Sequence, residues 1–380
     1  MFENVFYHRA MLGDHVRMKA YRKGIGEAVT EGDTVADIGT GSGILSFFAL
    51  EAGASKVYAL ERNEIIEEAK RLAEINGWNK NIIFLKGASD RIDLPEKVDV
   101  IVSELIGHFG LEENLLPYKI DARERFLKQG GRLVPAWLEL YLVPIASKEI
   151  WEDHIGIWDE AYYGVNLSPV KKHAVAQRYI ADCKDKVKLL ADPCRISHID
   201  FYKIEKIPHV FEAKYRLHHK GILHGLMGYF KAGLSRNVIL STSAHEPTTH
   251  WQQTFFPMEE IISVNKGDSL SCRLNAIPQM NTIYWEWNTR LIRKENEIVS
   301  FSQSNLDISK EELVVGRRKF RPCLTLEGMI HRKVLDLCDG KRSIGEISDI
   351  LMKMFPDEIA DEKDAMQRTV EIVRPVTKIL

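Results

Sequence analysis

The sequence predicts an α/β protein in which a doubly wound parallel sheet is followed by a mostly antiparallel second domain and a small helical module. Three observations carry this. In the first third of the chain, apolar strand patterns alternate with helical ones around a glycine turn. Beyond Pro135 and Ala136, strand patterns succeed one another without a long helix. After a polar, charged stretch at 303–319, a run with its own helix starts and stops closes the chain.

The elements follow in order. Residues 34–38 form an apolar strand that ends in Gly39-Thr40-Gly41-Ser42-Gly43, after which Ile44, Leu45, Phe48 and Ala49 recur at helical spacing. A second strand at 56–60 closes on Glu61, a helix spans 64–76, and strands follow at 82–86 and 98–103. This alternation specifies parallel strands with helical crossovers, and such sheets bind ligands at the strands' carboxyl ends. In the second domain, strands are expected at 212–218, 225–231, 269–276 and 282–291. Ile283, Trp285 and Trp287 alternate there and so share one face, which assigns them to the core. Near the end, Ile330, Val334, Leu335 and Leu337 fit a helix stopped by Asp339-Gly340. Ser343 and Glu346 form a capping box that opens a second helix ending near Phe355-Pro356, and a third is expected at about 361–373.

At 380 residues the chain suits two or three domains, and 45% hydrophobic with 28% charged residues is an ordinary soluble composition. A formal net charge of −2 argues against nucleic-acid binding by bulk electrostatics. Five scattered cysteines without a Cys-x-x-Cys pair suggest neither a disulfide framework nor a metal site. With no basic-then-apolar start and no apolar run long enough to cross a bilayer, a cytoplasmic protein without a membrane partner is expected.

Two groups of residues carry chemistry. Glu104 and Glu113 stand at the ends of a short apolar, glycine-containing loop, where two acids can clasp one cation. A guanidinium stays protonated in any protein, so a site that alkylates it must concentrate the charge on some nitrogens and leave lone-pair density on another. Paired carboxylates can do that; the alternative is two solvated loop acids. The glycine turn, with Gly39 and Gly41, could be a tight loop without a ligand, but Glu61 is placed to accept both hydroxyls of a ribose. Asp37 precedes the turn by two positions, where it could order a cationic amino-acid moiety such as that of S-adenosylmethionine.

Together, Val35 to Ser46, Glu61, and Ser103-Glu104 through Glu113 resemble the cofactor motif, ribose acid and double-glutamate loop of the protein arginine methyltransferase family. The stretch from His8 through Met11, Leu12 and Asp14 to Arg17, with Tyr21, is similar to that family's first cofactor-binding helix. The resemblance implies S-adenosylmethionine as cofactor, with His8, Met11 and Arg17 reaching it, Arg17 through its carboxylate. Gly87 to Asp90 matches the segment that meets the adenine, which adds Ser89 and Asp90 to the cofactor residues. On their own, His8 and Arg17 could be exposed positions of an amphipathic helix, and Asp90 a turn cap.

Thr249-His250-Trp251 is similar to the family's Thr-His-Trp loop, which closes the substrate pocket. This implies substrate contacts for Thr249 and Trp251 and a catalytic role for His250, pairing with an acid and helping to accept the proton lost on methylation; the other reading is a buried histidine bonded to backbone. Residues 151–185 correspond to the family's dimerisation arm and imply a homodimer. Departures fall at Leu105, Ile106, His108 and Leu115, which shape the acceptor pocket, and at the N-terminal lid, where Phe2, Phe6 and Tyr7 could substitute.

The implied architecture is a Rossmann-like class I methyltransferase domain at 1–135, an antiparallel β-barrel domain at 136–297 with its helical arm, and a module at 303–380. In that last module Val334 to Ser348 and Met354-Phe355-Pro356 resemble PqqD-like domains, winged-helix-like elements that bind the leaders of ribosomally made, modified peptides. Its strands would have to come from 298–302 and 312–315; otherwise it is a helical extension. The expected function is therefore N-methylation of a side chain, an arginine guanidinium, in a precursor peptide. One alternative is a methyltransferase of another amine or small metabolite. The other is a cofactor-binding regulator whose winged helix binds DNA through Arg317, Arg318, Lys319, Arg321, Lys341 and Arg342.

Overall fold

The computed structural model describes residues 5–113, 115–279, 282–293, 298–304, 323–356 and 358–374. It divides into two compact units, Met1–Asp307 and Ile308–Leu380.

The first unit opens with two helices, α1 (Val5–Gly13) and α2 (His15–Ala28), where the sequence reading had one. The break is Asp14, whose side chain caps α2 by accepting from the Arg17 amide. β1 (Thr34–Ile38), α3 (Ile44–Glu51), β2 (Lys56–Glu61), α4 (Ile65–Ile75), β3 (Ile82–Lys86) and β4 (Val98–Ser103) follow at the expected places. α5 (Leu115–Phe126) and β5 (Leu127–Val134) complete the sheet, which is parallel throughout in the order β3-β2-β1-β4-β5. β1 is buried at every residue, as an apolar strand covered on both faces must be.

The antiparallel part starts with β6 (Trp137–Ala146). The arm region holds α6 (Lys148–His154), the two-residue strands β7 (Ala161–Tyr162) and β8 (Val165–Asn166), and α7 (Ser168–Ala174). Then come β9 (Tyr179–Ala181), β10 (Lys188–Leu189), β11 (Cys194–Asp200), β12 (Val210–Arg216), β13 (Gly221–Gly233), β14 (Ile239–Ser241), β15 (Gln253–Val264), β16 (Ser269–Gln279), β17 (Thr282–Ile292) and β18 (Ile298–Ser304). Their pairing gives two antiparallel sheets. Seven strands form one sheet along β10-β6-β13-β15-β9, with β11 also on β6 and β14 on β13, while β12-β16-β17-β18 form a second sheet. Ile283, Trp285 and Trp287 are buried in the core.

β18 pairs with β17 over Ile298 to Ser304, so this sheet runs past the expected end at 297. The 298–302 strand is thereby part of the first unit's sheet. Residues 312–315 lie outside those described.

In the second unit, α8 (Leu326–Leu337), α9 (Ile344–Met354) and α10 (Glu362–Val373) pack Ile330, Val334, Ile347, Leu351, Ala365 and Ile372 into a core of their own. Each helix has a side-chain cap, Thr325, Ser343 and Asp361, and Ser343 with Glu346 completes the capping box. Among the described residues of this unit there is no strand, so the wing of a winged helix is not seen. Of the basic residues proposed for DNA, Arg317, Arg318, Lys319 and Arg321 lie outside the described residues, and Arg342 is paired with Asp339. Among the described residues no helix is long and apolar enough to cross a membrane.

Candidate active site

A cavity of about 590 Å³ opens at the carboxyl ends of β1, β2 and β4. His8, Met11 and Arg17 enter it from the N-terminal helices, Gly39 and Gly41 from the turn, Glu61 from the end of β2, Ser89 from the loop after β3, and Glu104 and Glu113 from the loop after β4. Nine of the expected site residues, spread over the first 113 positions, thus meet in one place.

The turn can approach so closely because it has no side chains. Gly39 and Gly41 sit at φ of 73° and 54°, and a Cβ on Gly39 would come 2.8 Å from Leu105 Cδ2. Glu61 accepts from the Gly41 amide at 3.1 Å and the Asn63 amide at 2.9 Å, which fixes its carboxylate and leaves lone pairs for a diol. Asp37 is not in the lining. It lies wholly buried beneath the turn, where Thr40 and Ser46 hydroxyls each donate to Oδ2 at 2.7 Å. Burial pushes its carboxyl up to about 6, and Oδ1 has no partner among the described residues. An unsatisfied buried acceptor under a side-chain-free cradle suits a cofactor with a cationic amino-acid end. Asp90 is exposed and also off the lining, because the single 3₁₀ turn at Ser89–Arg91 turns Ser89 inward and Asp90 to solvent.

Arg17 departs from the expected arrangement. Its Nε and Nη2 both donate to Glu104 Oε2, at 3.0 and 2.6 Å, and Nη1 donates to the Met11 carbonyl at 3.3 Å. The guanidinium lies 5.5 Å from the Tyr21 ring centroid and 5.9 Å from that of Trp251. The cation expected on the cofactor and the acid expected on the acceptor therefore hold each other, a buried pair that neither charge could leave unpaired cheaply. Glu104 Oε1 is held by the Ile106 amide at 3.0 Å.

Glu113 has no hydrogen-bond partner among the described residues and opens onto the cavity. Although Glu113 is exposed on the cavity side, the protein around it and the charges of Glu104 and Glu112 push its carboxyl up to about 8 in spite of Arg17 and Arg62. The two acids thus differ in setting, Glu104 bonded to a cation and Glu113 harder to ionise.

Thr249, His250 and Trp251 do not line the cavity but brace its wall. His250 donates from its amide and from Nδ1 to Asp14 Oδ2, both at 2.8 Å. Burial would raise the Asp14 carboxyl, but the bonds from His250 and Arg17 outweigh it and hold it low. Trp251 donates Nε1–H to the Ile106 carbonyl at 2.7 Å, and its own carbonyl accepts from His108 Nδ1 at 2.8 Å. Thr249 is buried, and its Oγ1 has no partner among the described residues. His250 is thus paired with an acid, Asp14, and Trp251 is tied to the acid loop at Ile106 and His108. The sequence reading passed over three residues here. Asp14, three before Arg17 at a helix start, had a capping signal. Glu112 and Arg178, ion-paired at 3.5 Å, had none.

Residues 138–285 match the family model of the arginine methyltransferase oligomerization subdomain, and residues 13–133 match that of ribosomal protein L11 methyltransferase. The chain is 33% identical over 279 residues to protein arginine N-methyltransferase 1.1 of Arabidopsis thaliana, covering 71% of each. It is 32% identical to protein arginine N-methyltransferase 1 of Schizosaccharomyces pombe over 71% of this chain and 82% of that one. Among solved structures, Arabidopsis thaliana protein arginine methyltransferase 10 superposes with a TM-score of 0.69 at 28% identity, over 79% of this chain and 97% of that chain. The Trypanosoma brucei PRMT1 enzyme–prozyme complex with AdoHcy gives 0.72 at 23% identity, over 79% and 98%, a likeness of fold.

Proposed function

Because the chain belongs to the protein arginine N-methyltransferase family, we propose that the cavity positions a peptidyl arginine against S-adenosylmethionine, with Glu104 and Glu113 as the acceptor acids. The cofactor supplies an electrophilic methyl group on its sulfonium. Arg17, Glu61, Gly39, Gly41, His8, Met11 and Ser89 would hold it. Arg17 would give its N–H donors to the cofactor's carboxylate in place of Glu104, which would leave Glu104 free for the substrate.

A guanidinium entering between the acids favours ionisation of Glu113, whose proton leaves as the cation arrives. The two carboxylates then draw positive charge toward the nitrogens they touch and leave the remaining one more nucleophilic. Orientation of that nitrogen is where most of the barrier reduction lies, on the order of 7–11 kcal/mol for a well-aligned pair at best. His250, whose Nδ1 is paired with the Asp14 carboxylate, would help to accept the proton lost on methylation. The observation that carries the reading is the meeting of both acids with the cofactor residues in one cavity. Equilibrium cofactor binding and single-turnover transfer by Glu113→Gln test it. Cofactor affinity should hold within about twofold while transfer falls roughly 100-fold or more; unchanged transfer removes Glu113 from the mechanism.

The substrate is a ribosomally made precursor peptide whose leader is recruited by the C-terminal unit. The sequence likeness over 334–348, the unit's separate core and its place beyond the matched residues 138–285 support this. Mass measurement on a leader-bearing and a leaderless arginine peptide tests it: equal kcat/KM for the two would reject recruitment. A homodimer formed through the arm is supported by the exposed apolar residues Ile157, Val165 and Val170. Sedimentation of the full chain checks it.

A further inference from the structure

Glu112 and Glu113 are neighbours in the chain but serve different surroundings. Glu112 is 7% exposed and turns back into the fold. Its Oε1 and Oε2 accept from the Phe109 amide at 3.2 and 3.0 Å, and Trp285 Nε1 donates to Oε1 at 3.2 Å. Arg178 Nη2 lies 3.5 Å from the same oxygen. A side chain on Gly107 would collide with Oε2, so the glycine is what lets this carboxylate fold against its own loop. Trp285 belongs to β17 and Arg178 leads into β9, so one carboxylate fastens the acid loop to both antiparallel sheets.

We propose that Glu112 and Arg178 are a positioning pair: they staple the acid loop, and the neutralisation of Glu112 by Arg178 sets how readily Glu113 ionises. The consequence for methyl transfer rests on the assignment of Glu113 as an acceptor acid; the electrostatic link does not. The charged groups facing Glu113 are Glu104 and Glu112 of its loop, Arg17 of α2 and Arg62 after β2. Arg17 is bonded to Glu104. Glu112 in turn is flanked by Arg178 and His108, and His108 is held neutral by burial, its pKa lowered. Its Nδ1 donates to the Trp251 carbonyl, a bond that favours the charged ring but that burial outweighs. Arg178 is therefore the cation that offsets Glu112. Removing it would leave a buried carboxylate uncompensated beside Glu113 and make the second ionisation harder. Through this contact the arm region 151–185 holds the acceptor loop electrostatically.

The test is a pH titration of glutamate carboxyl carbons by NMR in the full chain, with the Glu113 signal identified by its loss in Glu113→Gln. Arg178→Gln should raise the Glu113 midpoint by about one pH unit and Glu112→Gln should lower it by a similar amount. Arg178→Lys should restore the wild-type midpoint. In a Glu112→Gln background, Arg178→Gln should add no shift, since the partner through which it acts is gone. An unmoved midpoint in Arg178→Gln overturns the proposal, and so does an equal shift in both backgrounds. If Glu112→Gln does not fold, Arg178→Gln and Arg178→Lys decide by themselves. Initial rates on an arginine-containing peptide should show the same displacement along the pH axis. A wild type that transfers no methyl group to that peptide at any pH would reject the methylation reading and leave the titration result standing.

Discussion

Folding makes Glu113 harder to ionise, because the protein around it and the charges of Glu104 and Glu112 disfavour a further carboxylate. Its folded pKa of about 8 lies above the ordinary 4.5, so between those values the folded state binds more protons and its stability falls as pH rises, by an amount that the exposure of Glu113 keeps small. Glu113→Gln should therefore melt progressively higher than wild type from about pH 5 to about pH 8 and gain nothing further above it, by calorimetry. Binding has the opposite slope. An arginine peptide needs the carboxylate, so its Kd should tighten from pH 6 to 9 in wild type and stay flat in Glu113→Gln. Lys119 supplies a second, independent sign. Burial lowers it from 10.5 to about 7, with the Val134 carbonyl as its hydrogen-bond partner among the described residues, at 3.3 Å. Between those values the folded state binds fewer protons, so this residue makes stability rise with pH. Lys119→Met should remove that rise and leave the protein more stable than wild type at pH 6, measured by urea titration. The sequence displays two adjacent acids and cannot show that one faces the cavity and the other Trp285; only the path of the loop separates them.

Elements were legible wherever a local pattern decided them. The apolar strands and glycine turn of the parallel sheet and the capping box of α9 were read from spacing alone. β5 was not expected, and β13 runs from Gly221 to Gly233, past both ends of the expected 225–231, with the glycines Gly225 and Gly228 inside it. In the sheet the reason for them is contact: a Cβ on Gly228 would sit 2.6 Å from Phe109, a constraint written in a distant residue. How these strands pair is likewise a long-range property that local spacing does not fix. Two substitutions probe the elements. Gly39→Ala, at positive φ and against Leu105, should weaken cofactor binding at least tenfold by calorimetry, a cost of about 1.4 kcal/mol or more. Ser343→Ala removes the α9 cap and should cost the C-terminal unit about 1 kcal/mol, seen as faster amide exchange in α9 with the parallel sheet unchanged.

The whole molecule contains two units with separate cores, so a fragment of residues 1–307 should melt cooperatively within a few degrees of the corresponding transition of the full chain. If the fragment lacks that transition, the division is wrong. Inside the first unit, by contrast, the parallel and antiparallel parts are not interchangeable pieces. Asp14 starts the helix that carries Arg17 and, with its other oxygen, receives both donors of His250, 236 positions away. A hybrid gene joined near Pro135, with each half from a different parent, would pass on this three-way knot intact only when both parents spell it the same way. Natural recombination within such a lineage would then be expected to keep the two halves together, because a single carboxylate gives them a common heredity.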